Sequence, residues 1–372
     1  MNNLILMTGA TGFLGGANAV EAIHRGLGKN LLLLARAETP EAAHARVIEN
    51  LQLLGASAAD IAQISVDQIL CSDLSELDNV SNDPRLDQVS VVIHSAALAT
   101  FSNHPLLEKI NVDGSLALGK LMHRRPALKR FMYIGTAMAC GEGAGINAVV
   151  KERIDLPLGD EHLVAYTRSK ALGEKKLRET YPDLPLVYVR PSIIVGHTVL
   201  GCAPSQSIFW VFMVWQLLGA LTTALDEKVD VVPVDWCAQA IIDLAQKDTL
   251  THNVFHISAG LGSSVSFREI DLVLAAARGI EPIGATYKQI TPDAIATLLP
   301  RMRECIPECN DRLLLRALKL YGAFAGLNYV FSNENLLAEG IRPAPRFTDY
   351  IPLCVESARH IPIAEQMKWD FK

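Results

Sequence analysis

The chain has 372 residues, half of them hydrophobic, with a formal net charge of −6 and a mean hydropathy of +0.22. That length suits one large domain or two intimately joined ones with ample core, and an acidic balance without a basic block argues against a nucleic-acid partner. Seven cysteines lie scattered with no CxxC pair, Cys305 and Cys309 being the nearest neighbours, so free thiols are expected and no metal site. The odd count and the lack of a secretory signal point to a reducing cytoplasm.

Leu4-Ile5-Leu6 reads as a short buried strand and Ala17 to His24 as a helix. Between them stands Met7-Thr8-Gly9-Ala10-Thr11-Gly12-Phe13-Leu14-Gly15, a turn with the spacing GxxGxxG. In that context Gly9 lets the chain turn sharply off the strand. Gly12 lets backbone N–H groups approach a pyrophosphate, and Gly15 lets the helix pack closely on the sheet. The helix N-terminus adds partial positive charge. Gly9, Thr11, Gly12, Phe13, Leu14 and Gly15 are therefore expected to hold a dinucleotide. Asn30 to Arg36 reads as the second buried strand. Its end falls about 20 residues after the turn, where the residue that meets the adenosine ribose belongs. An acid there favours NAD; this chain has Ala35-Arg36, and an arginine fork suits a 2′-phosphate, so NADPH is the expected cofactor. Thr39-Pro40-Glu41 opens the next helix. On it Arg46 is either a second phosphate contact or a solvated position.

Ile69-Leu70-Cys71 reads as the third strand, leaving through Ser72-Asp73-Leu74. Val89 to Ala97 reads as the fourth, running into a turn, Ser95-Ala96-Ala97, whose small residues let a cofactor lie against backbone. His94 within it reads as a packed histidine. Phe131 to Ile134 is the fifth strand and ends at Gly135-Thr136-Ala137. A hydroxyl at a strand's carboxyl end points into the crevice where ligands bind in open α/β sheets. Thirty residues later stand Tyr166 and Lys170, i and i+4 on one helix face. A free phenol has a pKa of ~10, and an ammonium a few ångströms away favours the phenolate and lowers it. Tyr166 would then protonate an oxyanion as hydride arrives, and Thr136 would donate a second hydrogen bond to it. Leu186 to Pro191 is the sixth strand. Pro191 ends it, and Ser192-Ile193-Ile194-Val195-Gly196 is expected to pass the nicotinamide amide. Val254 to Ser258 reads as one more strand.

These elements define an α/β fold: a Rossmann-type, doubly wound, mostly parallel sheet with a smaller C-terminal substrate-binding region. Residues 1–200, completed by 229–260, are assigned to the NADP-binding part, and 201–228 with 261–372 to a substrate cap. Residues 191 to 225 contain no Asp, Glu, Lys or Arg. A membrane span needs ~20 apolar residues, but this run lies between two segments that join one globular site and lacks flanking basic residues. The stretch 206–221 reads as a buried helix lining an acyl pocket, a helix half in a membrane surface, or a core or dimer-interface helix. The oligomeric state stays open, as does membrane association of an otherwise cytoplasmic protein. Asp311 to Phe331 is a second apolar segment, expected to cover the first. The two runs argue for a long apolar acyl chain, with Trp210 and Phe212 expected to meet it.

The GxxGxxG spacing resembles the extended branch of the short-chain dehydrogenase/reductase superfamily. That resemblance implies that Asp73-Leu74 sits by the adenine ring. It also implies that Asn111, opening Asn111-Val112-Asp113-Gly114-Ser115, holds the site's water and helix geometry. The resemblance narrows through Ala35-Arg36 with Arg46, His94 to Ala97, Thr136-Ala137, Tyr166 with Lys170 and Glu174, Arg190-Pro191-Ser192 and Val229 to Trp236. Together these are similar to the thioester reductase and fatty acyl-CoA reductase group, over roughly residues 3 to 258, with a weaker echo at Val330 to Leu337. Gly135 departs from it, since the group usually carries Ser there. The resemblance implies that NADPH reduces an acyl thioester, on CoA or an acyl carrier protein, to the aldehyde and in some cases the alcohol. Lys170 would both tune Tyr166 and bind the nicotinamide ribose. Three rival readings are a ketone or aldehyde reductase of a free apolar molecule, a nucleotide-sugar epimerase or dehydratase, and a non-catalytic dinucleotide sensor. Ala137-Met138 lacks a dehydratase's acidic pair, Arg36 argues against the NAD that epimerases retain, and a sensor has no need of a tuned phenol.

Overall fold

A computed structural model describes residues 3–367 apart from 103, 160, 206, 207 and 308. Among the described residues seven strands form one parallel sheet: β1 (Leu4–Thr8), β2 (Leu31–Ala35), β3 (Ile69–Cys71), β4 (Val89–His94), β5 (Arg130–Ile134), β6 (Leu186–Pro191) and β7 (Val254–Ile257). Their order is β7-β6-β5-β4-β1-β2-β3, so the winding reverses between β1 and β4. Register aligns Met7 with Leu33 on one side and Ile93 on the other.

The longer helices are α1 (Phe13–His24), α2 (Pro40–Leu53), α3 (Gly114–Met122), α4 (Ala165–Thr180), α5 (Phe209–Leu218), α6 (Val234–Gln246), α7 (Phe267–Arg278), α8 (Asp311–Gly326) and α9 (Phe347–Ala358). Successive strand side chains point to opposite faces, and both faces are covered. Ile5, Met7, Leu31 and Leu33 join a cluster with α1, α2 and α6. Leu6, Leu32 and Leu34 join another with α3 and α4. That is why β2 is apolar at every position. α2 starts as its sequence dictates: Thr39 accepts from Ala42 N at 3.2 Å, Pro40 opens the first turn and Glu41 complements the dipole.

Beyond β6 the chain is tied back to the sheet by pairs of two-residue strands. Ile193–Ile194 runs parallel to Val231–Val232, Lys228–Val229 antiparallel to Val265–Ser266, and Val149–Val150 parallel to Val330–Phe331. β7 lies at the sheet's edge. Side chains cover that edge: Glu152 Oε1 accepts from His256 N at 3.0 Å, and Asn335 Nδ2 donates to Val254 O at 2.9 Å.

The charge-free run forms α5, whose side chains pack on more than one side, with Gln216 as its one polar residue. Phe209, Phe212 and Trp215 enter a cluster with α7 and α9, while Trp210, Val214 and Leu218 enter one with α8. Burying an aromatic of this size removes about 150–250 Å² from water, worth at most about 4–6 kcal/mol. Of the ten residues that α5 contributes to the stretch 206–221 seven are buried, and Val211, Met213 and Leu217 keep partial exposure. Residues 206 and 207 of that stretch lie outside the described residues. Among the described residues no helix is long and apolar enough to cross a membrane.

Candidate active site

β1 and α1 are joined by the glycine turn, in which Gly9 has φ +81° and Gly12 N donates to Gly9 O at 2.9 Å. A Cβ on Gly15 would stand 2.2 Å from Gly9 O, so the helix reaches the strand end only with glycine there. α1 begins without a side-chain cap and with no acid in its first turn. By helix geometry its leading N–H groups, at Phe13, Leu14 and Gly15, have no partner within the helix. This is a cradle for a pyrophosphate. Asn50, on α2 and not anticipated, donates to Ala10 O at 2.9 Å and Gly12 O at 3.0 Å, bracing the turn at the cavity's edge. An asparagine on an amphipathic helix carries no sequence signal of that task.

The turn opens on one continuous cavity of about 670 Å³ at the carboxyl ends of the strands. Gly9, Thr11, Gly12, Phe13, Leu14 and Gly15 line one end; Ser95, Ala97, Thr136, Tyr166, Lys170, Pro191 and Ile193 line its middle. An apolar lobe follows, walled by Val211, Phe212 and Trp215 of α5 and by Leu318, Tyr321 and Phe324 of α8. Trp210 is not on that wall. It is buried in the core between α5 and α8, edge-on to Tyr321 at 5.9 Å, which corrects its expected place against the acyl chain.

Thr136 closes β5 and accepts from Met138 N at 3.3 Å. Its oxygen is thereby placed while its O–H stays available as a donor. Tyr166 and Lys170 lie on the first turns of α4. Lys170 is buried, with Nζ 4.6 Å from the centre of the Tyr133 ring. Burial lowers Lys170 to about 8, against an opposing pull from Glu174. Burial pushes Tyr166 up to about 12, the reverse of the expected direction. Burial alone accounts for that shift, so Tyr166 is a protonated phenol throughout the neutral range.

Behind these groups, His94 is packed. Its Nδ1 is 2.8 Å from Thr8 Oγ1 and its Nε2 2.9 Å from Ser115 Oγ, and burial holds it down to about 3. Ser115 donates to Asn111 O at 2.7 Å, and Thr8 accepts from Ala96 N at 3.1 Å. The network therefore assigns the neutral Nε2–H tautomer. Asn111 lies in a π-helical turn, Lys109–Asp113, that interrupts the helix before α3. It is off the cavity wall, and bridges Leu98 N at 2.7 Å to Ser169 Oγ at 2.9 Å. It thereby ties the loop after β4 to α4 at Ser169, the residue before Lys170.

Arg36, Arg46, Asp73, Leu74 and Ala96 are also off the wall. Arg36 is 71% exposed and its Nη1 is 3.2 Å from Asp73 Oδ2, while Arg46 donates to Arg36 O. The N–H of Ser75 first, and Arg36 after it, hold the Asp73 carboxyl below its usual range. Leu74 is buried under Gly114. Gly135, where Ser was anticipated, has a physical cause: a Cβ would stand 2.5 Å from Glu174 Oε1. Glu174 is buried and paired with Arg190, whose Nη2 lies at 2.5 Å.

The pattern of the NAD-binding family described as "Male sterility protein" matches residues 7–241. A carboxylic acid reductase of Mycobacterium tuberculosis is 31% identical over 225 residues, 52% of this chain and 18% of that protein. The fatty acyl-CoA reductase wat of Drosophila melanogaster is 25% identical over 231 residues, 51% of this chain and 43% of that protein. The chain spans about a fifth to a third of the length of several larger relatives. In fold it is similar to the terminal R domain from the myxalamid PKS-NRPS biosynthetic pathway. That likeness has a TM-score of 0.73 and 19% identity, and covers 96% of this chain and 91% of that one.

Proposed function

The chain belongs to the NAD-binding family described as male sterility protein, and from that premise we propose that it is an NADPH-dependent oxidoreductase acting on an acyl thioester. The thioester, on CoA or an acyl carrier protein, is reduced to the aldehyde. The observation that carries this reading is the single cavity whose wall runs from the glycine turn, past Thr136, Tyr166 and Lys170, into an apolar lobe.

A bound nicotinamide supplies the hydride. The residues of the chain do the rest. Backbone N–H groups at Phe13 to Gly15 would hold the pyrophosphate, and Arg36, whose backbone oxygen accepts from Arg46, would meet the 2′-phosphate. Thr136 donates to the carbonyl oxygen and stabilises the charge that develops there. Tyr166 gives that oxygen its proton: the phenol O–H breaks as the hemithioacetal O–H forms. Lys170, near 8, is mostly ammonium at neutral pH and offsets the phenolate left behind. Loss of the thiol from the hemithioacetal leaves the aldehyde. The lobe, fed by residues 201–228 and 261–372, takes the acyl chain.

The test is NADPH oxidation with hexadecanoyl-CoA, with free thiol followed in the same sample. Thiol appearing in step with NADPH loss supports the reading, and two NADPH per thiol identifies the alcohol as product. NADPH loss with free aldehydes or ketones, and no thiol from CoA esters, replaces it with a reductase of free carbonyl compounds.

A further inference from the structure

We propose that Phe101 is a specificity-determining and positioning residue that passes occupancy of the apolar lobe to the catalytic tyrosine; this rests on the reading of the cavity given above. Phe101 lies on the loop after β4 and lines the cavity. Its ring is 6.3 Å from that of Tyr166 at 60°, 5.7 Å from Tyr321 at 69° and 5.8 Å from Phe324 at 35°. Tyr321 is in turn edge-on to Trp210. A row of aromatic contacts thus runs from the core of the cap to the proton donor.

Two observations make the contact with Tyr166 consequential. Among the described residues, no side-chain hydrogen bond is made by the Tyr166 hydroxyl, so packing sets where the phenol points. The loop that presents Phe101 is itself pinned: Asn111 bonds both Leu98 N and Leu98 O, and Thr100 Oγ1 bonds Ser102 Oγ at 2.8 Å. A pinned backbone carrying an apolar ring transmits side-chain pressure rather than absorbing it. An acyl chain long enough to reach Tyr321 and Phe324 presses on the far side of the same ring. Binding energy from the remote chain is thereby spent on orienting the reacting centre, which raises kcat rather than only lowering KM.

The experiment measures kcat and KM for butanoyl-CoA and hexadecanoyl-CoA in the wild type, Phe101→Leu and Phe101→Ala, with thermal melts confirming that each variant is folded. The wild type turns over the long ester faster, and both variants lower the ratio of long-chain to short-chain kcat by up to about tenfold, the scale of an aromatic edge contact. Phe101→Leu keeps an apolar plug in place, so a fold defect in Phe101→Ala does not remove the test. A wild-type ratio near one overturns the proposal. So does a ratio unchanged in the variants, whether kcat falls equally at both lengths or KM alone moves. If CoA esters release no thiol, the thioester reading fails. The same ratio measured with butanal and hexadecanal then decides the role of Phe101. No turnover of either series overturns both.

Discussion

Replacing Glu174 with Gln should destabilise the protein far more than one lost hydrogen bond would. Glu174 and Arg190 are 3% and 1% exposed, and Arg190 Nε lies 3.1 Å from both carboxylate oxygens. The pair pins α4, with Tyr166 and Lys170, to β6. Leaving the guanidinium buried without its partner costs about 3–5 kcal/mol. At ~2.1 cal/mol/K per residue, unfolding 372 residues carries an entropy near 0.8 kcal/mol/K, so the melting temperature should fall by about 4–6 °C. The double variant Glu174→Leu/Arg190→Met removes both charges. It still forfeits the bond from Arg190 Nη1 to Arg153 O at 2.6 Å, so it should lie within about 2 kcal/mol of the wild type. Thermal or denaturant unfolding of the wild type, the two single variants Glu174→Leu and Arg190→Met, and the double variant closes the cycle, with Glu174→Gln measured beside it. A Glu174→Gln protein melting within a degree of the wild type would refute the reasoning, as would a double variant that loses the sum of the singles.

Further expectations concern the cavity. Tyr166→Phe should lower kcat by about 10²–10⁴ while leaving NADPH affinity, read by fluorescence titration, within a few-fold; appreciable residual turnover removes Tyr166 as the donor. Arg36→Asp should move the NADPH-to-NADH ratio of kcat/KM by at least about tenfold, since in the proposed role the exposed guanidinium would make a charge-assisted contact with the 2′-phosphate; an unmoved ratio means the phosphate is read elsewhere. Activity should fall as pH rises through about 8, because Lys170 then loses the proton that offsets the phenolate. A pH profile of kcat/KM flat to 10 would contradict this. Lys170 also binds fewer protons folded than unfolded between about 8 and 10.5, so its part of the stability should rise with pH there. Val211→Trp should narrow the lobe and raise KM for hexadecanoyl-CoA well above any change for butanoyl-CoA; equal changes would exclude the lobe as the acyl site.

Periodicity and spacing made much of this molecule legible before its coordinates. Short uninterrupted apolar runs bounded by turn residues, such as Leu31 to Leu34, suit parallel strands covered on both faces, and Tyr166 with Lys170 shares a helix face by geometry alone. Strand ends were overrun by a residue at Asn30 and Arg36, where register rather than composition decides. What sequence could not supply was the partner of each face. Trp210 and Phe212 stand two positions apart on α5, and only the packing of α8 sends one to a core and the other to the cavity. The direction of the Tyr166 shift follows from its enclosure, which a pairwise rule about a lysine four residues on leaves out. Asn50 and Phe101 were missed because their contacts join residues about 40 and 65 positions apart, a distance no local pattern spans.

The covering of β7 also imposes an order in time. Glu152 is made before the strand it caps, but Asn335, which bonds Val254 O, follows the end of β7 by roughly 80 residues. At about 5–20 residues per second, a ribosome leaves that edge half-dressed for some 4–16 s. An uncovered edge is a template for pairing with another chain. A nascent chain stalled between residues 260 and 330 would therefore hold a nearly finished sheet with an adhesive margin, and its fate would rest on whether a chaperone reaches that margin before a second nascent chain does.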